Sequence, residues 1–139
     1  MKRQEKYPET STFHYYNANP KNKITADCVV RALCTAMEEP YNIVYRELFE
    51  FSLQCGYMLN EKQCYDRYLK SKGWVKHNQP RKADNTKYTG YDFCKKIADK
   101  KVRYIAKIGG HHIVAIVNGK VNDIWDSTDG CIGNYWTKE

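Results

Sequence analysis

The chain has 139 residues, of which 42% are hydrophobic and 14% aromatic, and its formal net charge is +7. This length fits one domain, predicted over residues 1–139, and the composition is that of a globular chain and not a disordered one. The longest apolar run, residues 113–117, is far shorter than the roughly 20 residues that span a bilayer. No apolar segment follows the charged start, so we expect no secretory signal, no membrane segment and a cytoplasmic location.

The first 22 residues contain two prolines and several asparagines but few aliphatic residues. They predict an extended N-terminal arm that wraps the domain. From Thr25, a fair helix N-cap, apolar residues recur at helical spacing up to Pro40. The first long helix is therefore predicted between these two residues.

The rest of the chain gives helix signals before strand signals. Apolar faces followed by glycine predict helices, a capping-box pattern at residues 89–92 predicts another, and Asn118-Gly119 is a strong hairpin signal. Helices are predicted at residues 41–54, 60–71 and 89–99. Strands are predicted at residues 74–77, 102–108, 111–117, 120–126 and 130–136, the last of them closing the edge of the sheet. Helices that precede an antiparallel sheet indicate an α+β fold.

Six cysteines are spread along the chain without a CxxC pair. Structural zinc sites usually show such close pairs, so we expect no metal, and no other cofactor is predicted. In a reducing compartment the thiols stay free, and most are expected to be small core residues. A cysteine with a chemical role therefore needs a second feature to distinguish it.

Cys28 is distinguished by its place in the first turn of the predicted helix. Unpaired N–H groups and the helix dipole there lower a thiol pKa from about 8.5 toward 7 or below. The Cys28 backbone N–H is also one possible oxyanion donor. Asp27 is expected to add a favourable charge to the helix start. Arg31 is expected to be solvated or salt-bridged, with an anionic substrate as the alternative partner.

A thiolate nucleophile needs a base, and the hairpin register limits the candidates among four histidines. A two-residue Asn118-Gly119 turn places His112 on the same face of the ribbon as Asp123 and Trp125. Asp123 lies diagonal to His112, within side-chain reach, and Trp125 is expected to shield the pair from water. A shielded carboxylate would hold the imidazole in the correct tautomer.

The other face of the same ribbon offers a competing pair, His111 opposite Asp126. A surface contact between histidine and aspartate, without chemistry, is the simpler alternative for both pairs. The residues alone do not decide which face meets the helix, so both pairs remain open at this point.

The order of these residues resembles that of papain-like cysteine peptidases, in which a helix-start cysteine precedes a strand histidine and an Asn-Ser-Trp pattern. Residues 123–125 are similar to that pattern, with Asp in place of Asn. A closer resemblance is to small proteins encoded by phages and mobile elements. Their shared blocks correspond to residues 19–20, 27–32, 112–115, 123–126 and 133–136. The match covers residues 17–136 and favours His112 over His111, since the family's histidine directly precedes the apolar strand.

The resemblance implies a papain-like fold with N-terminal helices packed on a C-terminal antiparallel sheet. It implies Cys28 as nucleophile, His112 as base and Asp123 as the residue that orients His112. The segment from His112 to Asp123 is shorter than its papain counterpart, which leaves Asp126 as an alternative third member.

Papain-like enzymes also place a glutamine about six residues before the nucleophile, where it completes the oxyanion hole. This chain has Asn22 at that distance. The family pattern favours Asn19 as the substitute donor, with Asn17 and Asn22 as alternatives. Loss of one such donor typically lowers the rate 10²–10³-fold, so the pattern predicts a slow or selective enzyme.

These features predict a thiol hydrolase or transferase acting on an amide, isopeptide or thioester. A protein or peptide substrate is expected, because the chain has no phosphate loop or dinucleotide fingerprint. The alternative is a non-catalytic papain-like scaffold that blocks a host or competitor protein, with its basic surface directed at an acidic partner. Nucleic acid is a less favoured partner, because the basic residues are not interleaved with stacking aromatics.

Overall fold

A computed structural model describes residues 1–138 and confirms the predicted α+β class. The helices are α1 (Arg3–Lys6), α2 (Cys28–Met37), α3 (Tyr41–Cys55), α4 (Lys62–Ser71) and α5 (Gly90–Lys96). The strands are β1 (Phe13–Tyr15), β2 (Trp74–His77), β3 (Tyr104–Ile108), β4 (His112–Val117), β5 (Lys120–Asp123) and β6 (Ile132–Lys138). Among these residues, no helix is both long enough and apolar enough to cross a bilayer.

Several elements begin or end where local sequence signals predict. Gly56 ends α3 with a φ of 82°, a conformation that glycine adopts without steric cost. The Thr89 side chain accepts a hydrogen bond from the Asp92 backbone N–H at the start of α5, as a capping residue should. Asn118 and Gly119 both have positive φ, and Val117 pairs with Lys120 across the turn. The hairpin prediction is therefore confirmed.

The sheet is mixed, with the strand order β1-β5-β4-β3-β6-β2. Only β1 and β5 pair in parallel, and the other neighbours are antiparallel. The prediction that β6 closes the sheet edge is wrong, because β6 lies between β3 and β2. Ile132 and Trp136 are buried in different apolar clusters, and a strand with buried side chains on both faces belongs inside a sheet.

The first 22 residues are extended only in part. They include the short helix α1 and the strand β1, whose Phe13 pairs with Val121 in β5. Phe13 is fully buried against the apolar side chains beneath α5. Burial of this ring fixes the segment as an edge strand, because it removes a large apolar surface from water.

The sheet separates two apolar clusters. The first lies between the sheet and α2, α3 and α4, and the second lies on the opposite face, against α5. Along β4, Ile113 and Ala115 belong to the first cluster, whereas Val114 and Ile116 belong to the second. Because Ile113 and Ala115 face the helices, α2 packs against β4, and this contact positions the site described next.

Candidate active site

Cys28 is the first residue of α2, which begins three residues after the predicted N-cap. Asp27 takes the N-cap position in place of Thr25, but its side chain makes no capping hydrogen bond. At this position in a helix the backbone N–H has no intrahelical acceptor. The half-buried Cys28 thiol lies beside the start of β4, where it meets His112 and Ile113.

The surroundings of the Cys28 thiol favour its charged form. Burial is the largest single effect and raises the pKa of Cys28, whereas the His112 side chain and the Ile113 backbone lower it. The positive charges of His112 and Arg31 act in the same direction. The net effect is a pKa below that of an ordinary thiol, which increases the fraction present as the nucleophilic thiolate.

His112 is held by Asp123, as predicted. Its Nε2 atom lies 2.5 Å from Asp123 Oδ2, and Asp123 is only 2% exposed. This bond leaves Nδ1 as the ring nitrogen available to the thiol. Burial lowers the pKa of His112, but the hydrogen bonds to Asp123 and Cys28 raise it to about 9.

Trp125 packs against the imidazole, with the two ring centroids 5.1 Å apart. This contact agrees with the predicted shielding of the His112–Asp123 bond. A hydrogen bond between charged groups is stronger when water is excluded from it.

The hairpin register explains how His112 and Asp123 meet. Ala115 pairs with Asn122 in the predicted register, so the two residues lie at the open end of the ribbon. The apolar residues of the same predicted face, such as Val114, pack on the opposite side of the sheet from α2. His112 begins β4 and Asp123 ends β5. The side chains of these two residues meet Arg31 and Cys28 of α2.

The competing pair is not brought together. His111 is exposed, and within residues 1–138 no hydrogen bond joins it to Asp126. Asp126 Oδ1 instead accepts hydrogen bonds from the backbone N–H and the hydroxyl of Thr128, at 2.9 and 2.6 Å. This geometry makes Asp126 the cap of a local turn.

The sequence predicted the contacts of Arg31 only in part. It is only 6% exposed, so the solvated alternative is wrong and the salt-bridged one is correct. Its Nε donates to Asp27 Oδ1 at 2.7 Å, and its Nη1 donates to Asp123 Oδ1 at 2.6 Å. The spacing of Asp27 and Arg31, one helical turn apart, could have indicated the first bond but not the second.

The Asp27 carboxylate is also engaged on its other oxygen. Asn19 Nδ2 donates to Asp27 Oδ2 at 3.0 Å, and the Tyr41 hydroxyl donates to the same atom at 2.8 Å. The Asn19 carbonyl oxygen accepts from the backbone N–H of Lys21. The Asn19 side chain is therefore hydrogen-bonded to Asp27 and to the Lys21 backbone, and its oxyanion role stays a prediction.

The two alternative asparagines, Asn17 and Asn22, lie on either side of Asn19 in the sequence. Asn17 Nδ2 donates to the Lys23 carbonyl at 3.1 Å and to Asn22 Oδ1 at 3.3 Å. Asn22 has a φ of 54°, a left-handed conformation that asparagine tolerates well. The Cys28 backbone N–H has no hydrogen-bond acceptor within residues 1–138 and so stays available as an oxyanion donor.

The site is a continuous chain of hydrogen-bonded groups. Its hydrogen bonds run from Asn19 and Tyr41 through Asp27, Arg31 and Asp123 to His112, and the Cys28 thiol lies beside His112 at its end. Positive and negative groups alternate along it, so each buried charge has an opposite partner, as buried charges require. Such a chain can hold a thiolate and an imidazolium in fixed positions.

No group of three or more histidine, cysteine, aspartate and glutamate side chains within residues 1–138 is arranged to hold a metal ion. All six cysteines are free thiols, three of them buried. No protein-family model, curated protein or solved structure matches this chain.

Proposed function

We propose that the protein is a cysteine-dependent hydrolase or acyl transferase of the papain-like kind, acting on an amide, isopeptide or thioester bond. One observation carries this proposal: the Cys28 thiol contacts His112, which is hydrogen-bonded to buried Asp123, and the pKa shifts of thiol and imidazole favour an ion pair. A thiol with a lowered pKa beside an oriented histidine is the arrangement that nucleophilic catalysis requires.

In the proposed reaction, the Cys28 thiolate attacks the carbonyl carbon, and a carbon–sulfur bond forms. The oxyanion that develops accepts a hydrogen bond from the Cys28 backbone N–H. The intermediate then collapses, the bond to the leaving group breaks, and His112 gives its proton to the departing amine or thiol. In hydrolysis, water attacks the thioester, His112 accepts the water's proton, and the carboxylic acid product leaves as the thiolate re-forms.

Asp123 and Arg31 are proposed to act through His112 and not on the substrate. Asp123 Oδ2 fixes the imidazole ring and stabilises its protonated form. Arg31 and the Ile124 backbone N–H both donate to Asp123 Oδ1, at 2.6 and 2.7 Å. Although burial raises the pKa of Asp123, the hydrogen bonds and charges of His112 and Arg31 lower it overall, so the carboxylate stays charged.

The test is the pH dependence of Cys28 alkylation by iodoacetamide, followed by mass spectrometry. We expect Cys28 to react well below pH 8, because its thiolate is stabilised by His112. His112→Ala should slow the reaction at pH 6 about 10²-fold, since burial without the imidazole raises the thiol pKa. The matched control is His111→Ala, which should change the rate less than about twofold.

The proposal would be contradicted if the alkylation rate of Cys28 rose with a midpoint near pH 8.5, the pKa of an unperturbed thiol, in both the unchanged protein and His112→Ala. Equal effects of the His111 and His112 substitutions would contradict it as well.

A second function is supported by the side chain of Asn19, which is engaged with Asp27, and by the net charge of +7. A scaffold with an incomplete oxyanion hole suits binding, and a basic surface attracts an acidic protein partner. Under this function, Cys28→Ser leaves the biological effect of the protein unchanged, whereas surface Lys→Glu substitutions abolish it. Loss of the effect in Cys28→Ser would exclude it.

A further inference from the structure

A cavity of about 330 Å³ lies at an irregularity in the pairing of β3 with β6. Ala106 pairs with Tyr135, but Ile108 pairs with Ile132, so the single residue Lys107 faces two residues of β6. This is a β-bulge, a feature that redirects side chains and often occurs next to active sites. The two bulged residues, 133 and 134, both line the cavity.

Two lysines and an asparagine with an unpaired amide group are among the residues that line the cavity. The Asn134 amide nitrogen is buried and has no hydrogen-bond partner within residues 1–138. Lys87 and Lys107 line the same cavity, and neither forms a salt bridge in this part of the chain. None of the lining residues is acidic. Two ammonium groups and an unpaired amide N–H together favour an anion.

Gly133 packs against the side chain of Lys107 at the cavity. A Cβ atom at Gly133 would lie 3.5 Å from Lys107 Cβ and 3.6 Å from its Cδ. The aliphatic stem of Lys107 thus lies along the Gly133 backbone, which supports it. Lys107 is half-buried, so its ammonium group is held by a packed stem and is less free than a surface lysine.

The cavity is close to the candidate nucleophile. Lys107 pairs directly with Ile113, and the Ile113 backbone is close enough to the Cys28 thiol to lower its pKa. Lys107 also follows Ile105 by two residues on β3, and Ile105 packs with the cluster beneath α2. Residues two apart on a strand share a face, so Lys107 and Cys28 lie on the same side of the sheet.

We propose that this cavity is a specificity subsite that binds an acidic side chain of a peptide substrate, a few residues from the bond that Cys28 attacks. The proposal rests on the proposed acyl-transfer function and adds a substrate class to it. The substrate carboxylate accepts hydrogen bonds from the Asn134 amide and the Lys107 ammonium group, and Lys87 contributes charge at the rim.

The test uses chloroacetyl-capped tripeptide amides in which glutamate or glutamine occupies each of the three positions in turn. At one position, the glutamate peptide should alkylate Cys28 about tenfold faster than its glutamine counterpart, and salt should reduce this ratio. Lys107→Gln and Asn134→Leu should each bring the ratio close to one. Lys100→Gln, which removes the same charge from an exposed residue beside the hairpin turn, should leave the ratio unchanged.

A ratio below about twofold at every position would overturn the subsite while leaving the reactivity of Cys28 intact. If no peptide alkylates Cys28, the proposed function fails, and a second measurement decides on the subsite alone. In that measurement, N-acetylglutamate amide should shift the amide NMR signals of Gly133 and Asn134 in the unchanged protein but not in Lys107→Gln. Shifts with a short DNA oligonucleotide and not with the glutamate ligand would overturn the assignment to an acidic peptide.

Discussion

Cys28 and Cys94 lie on opposite faces of the same sheet, and their environments have opposite effects on the thiol. Burial raises the pKa of Cys94 to about 12, and this side chain is 8% exposed. Burial also raises the pKa of Cys28, yet the net shift there is downward. Burial alone therefore does not decide which thiol is reactive.

A backbone hydrogen bond does not explain the difference either. The Val121 backbone lowers the pKa of Cys94, and the Ile113 backbone does the same for Cys28. A positive charge also acts on both thiols, Lys95 on Cys94 and Arg31 on Cys28. What Cys28 has in addition is the imidazole of His112, and the comparison indicates that this partner converts a buried cysteine into a candidate nucleophile.

The most direct test of the difference between Cys28 and Cys94 is to alkylate both thiols in the native protein. At pH 7 we expect Cys28 to react with iodoacetamide more than about 10³-fold faster than Cys94, because both the thiolate fraction and the access differ. Peptide mass spectrometry over time gives the two rates. In urea the rates should converge, and similar rates in the native state would refute the comparison.

The next largest effect is expected from Arg31→Met. This change leaves Asp27 and Asp123 buried without their common partner, and it should lower the free energy of unfolding by about 3–5 kcal/mol. Urea denaturation measures this loss. Arg46→Met, on the exposed face of α3, is the control and should change stability by less than about 0.5 kcal/mol. A loss below about 1 kcal/mol in Arg31→Met would mean that the buried ion pairs contribute little.

The smallest expected change in stability concerns Asn19 and tests whether its role is structural. Asn19→Ala removes one hydrogen bond to the Asp27 carboxylate, and we expect a loss of about 1–2 kcal/mol in unfolding free energy. Tyr41→Phe, which removes the other donor to the same oxygen, should cost a similar amount. Both variants should alkylate Cys28 at nearly the unchanged rate. Unaltered stability with slower acyl transfer in Asn19→Ala alone would instead support the predicted oxyanion role.

Sequence signals were sufficient to predict the elements that depend on a few adjacent residues. The glycine after α3, the Thr89 cap and the Asn118-Gly119 turn each fix a backbone conformation locally, and all three occur as predicted. The turn also fixed the register of the ribbon, and with it the meeting of His112 and Asp123. These predictions succeed because the energy that favours them arises between neighbours in the chain.

The tertiary structure alone decided how these pieces meet. Arg31 and Asp123 are separated by 92 positions in the sequence, and their bond depends on how α2 packs against the end of the ribbon. The pairing of β1 with β5 and the interior place of β6 also depend on tertiary packing. Phe13 of β1 is buried in one apolar cluster, and Trp136 of β6 is buried in the other. Such contacts form because apolar faces from distant parts of the chain are buried against one another. Local sequence signals do not say which faces will pair.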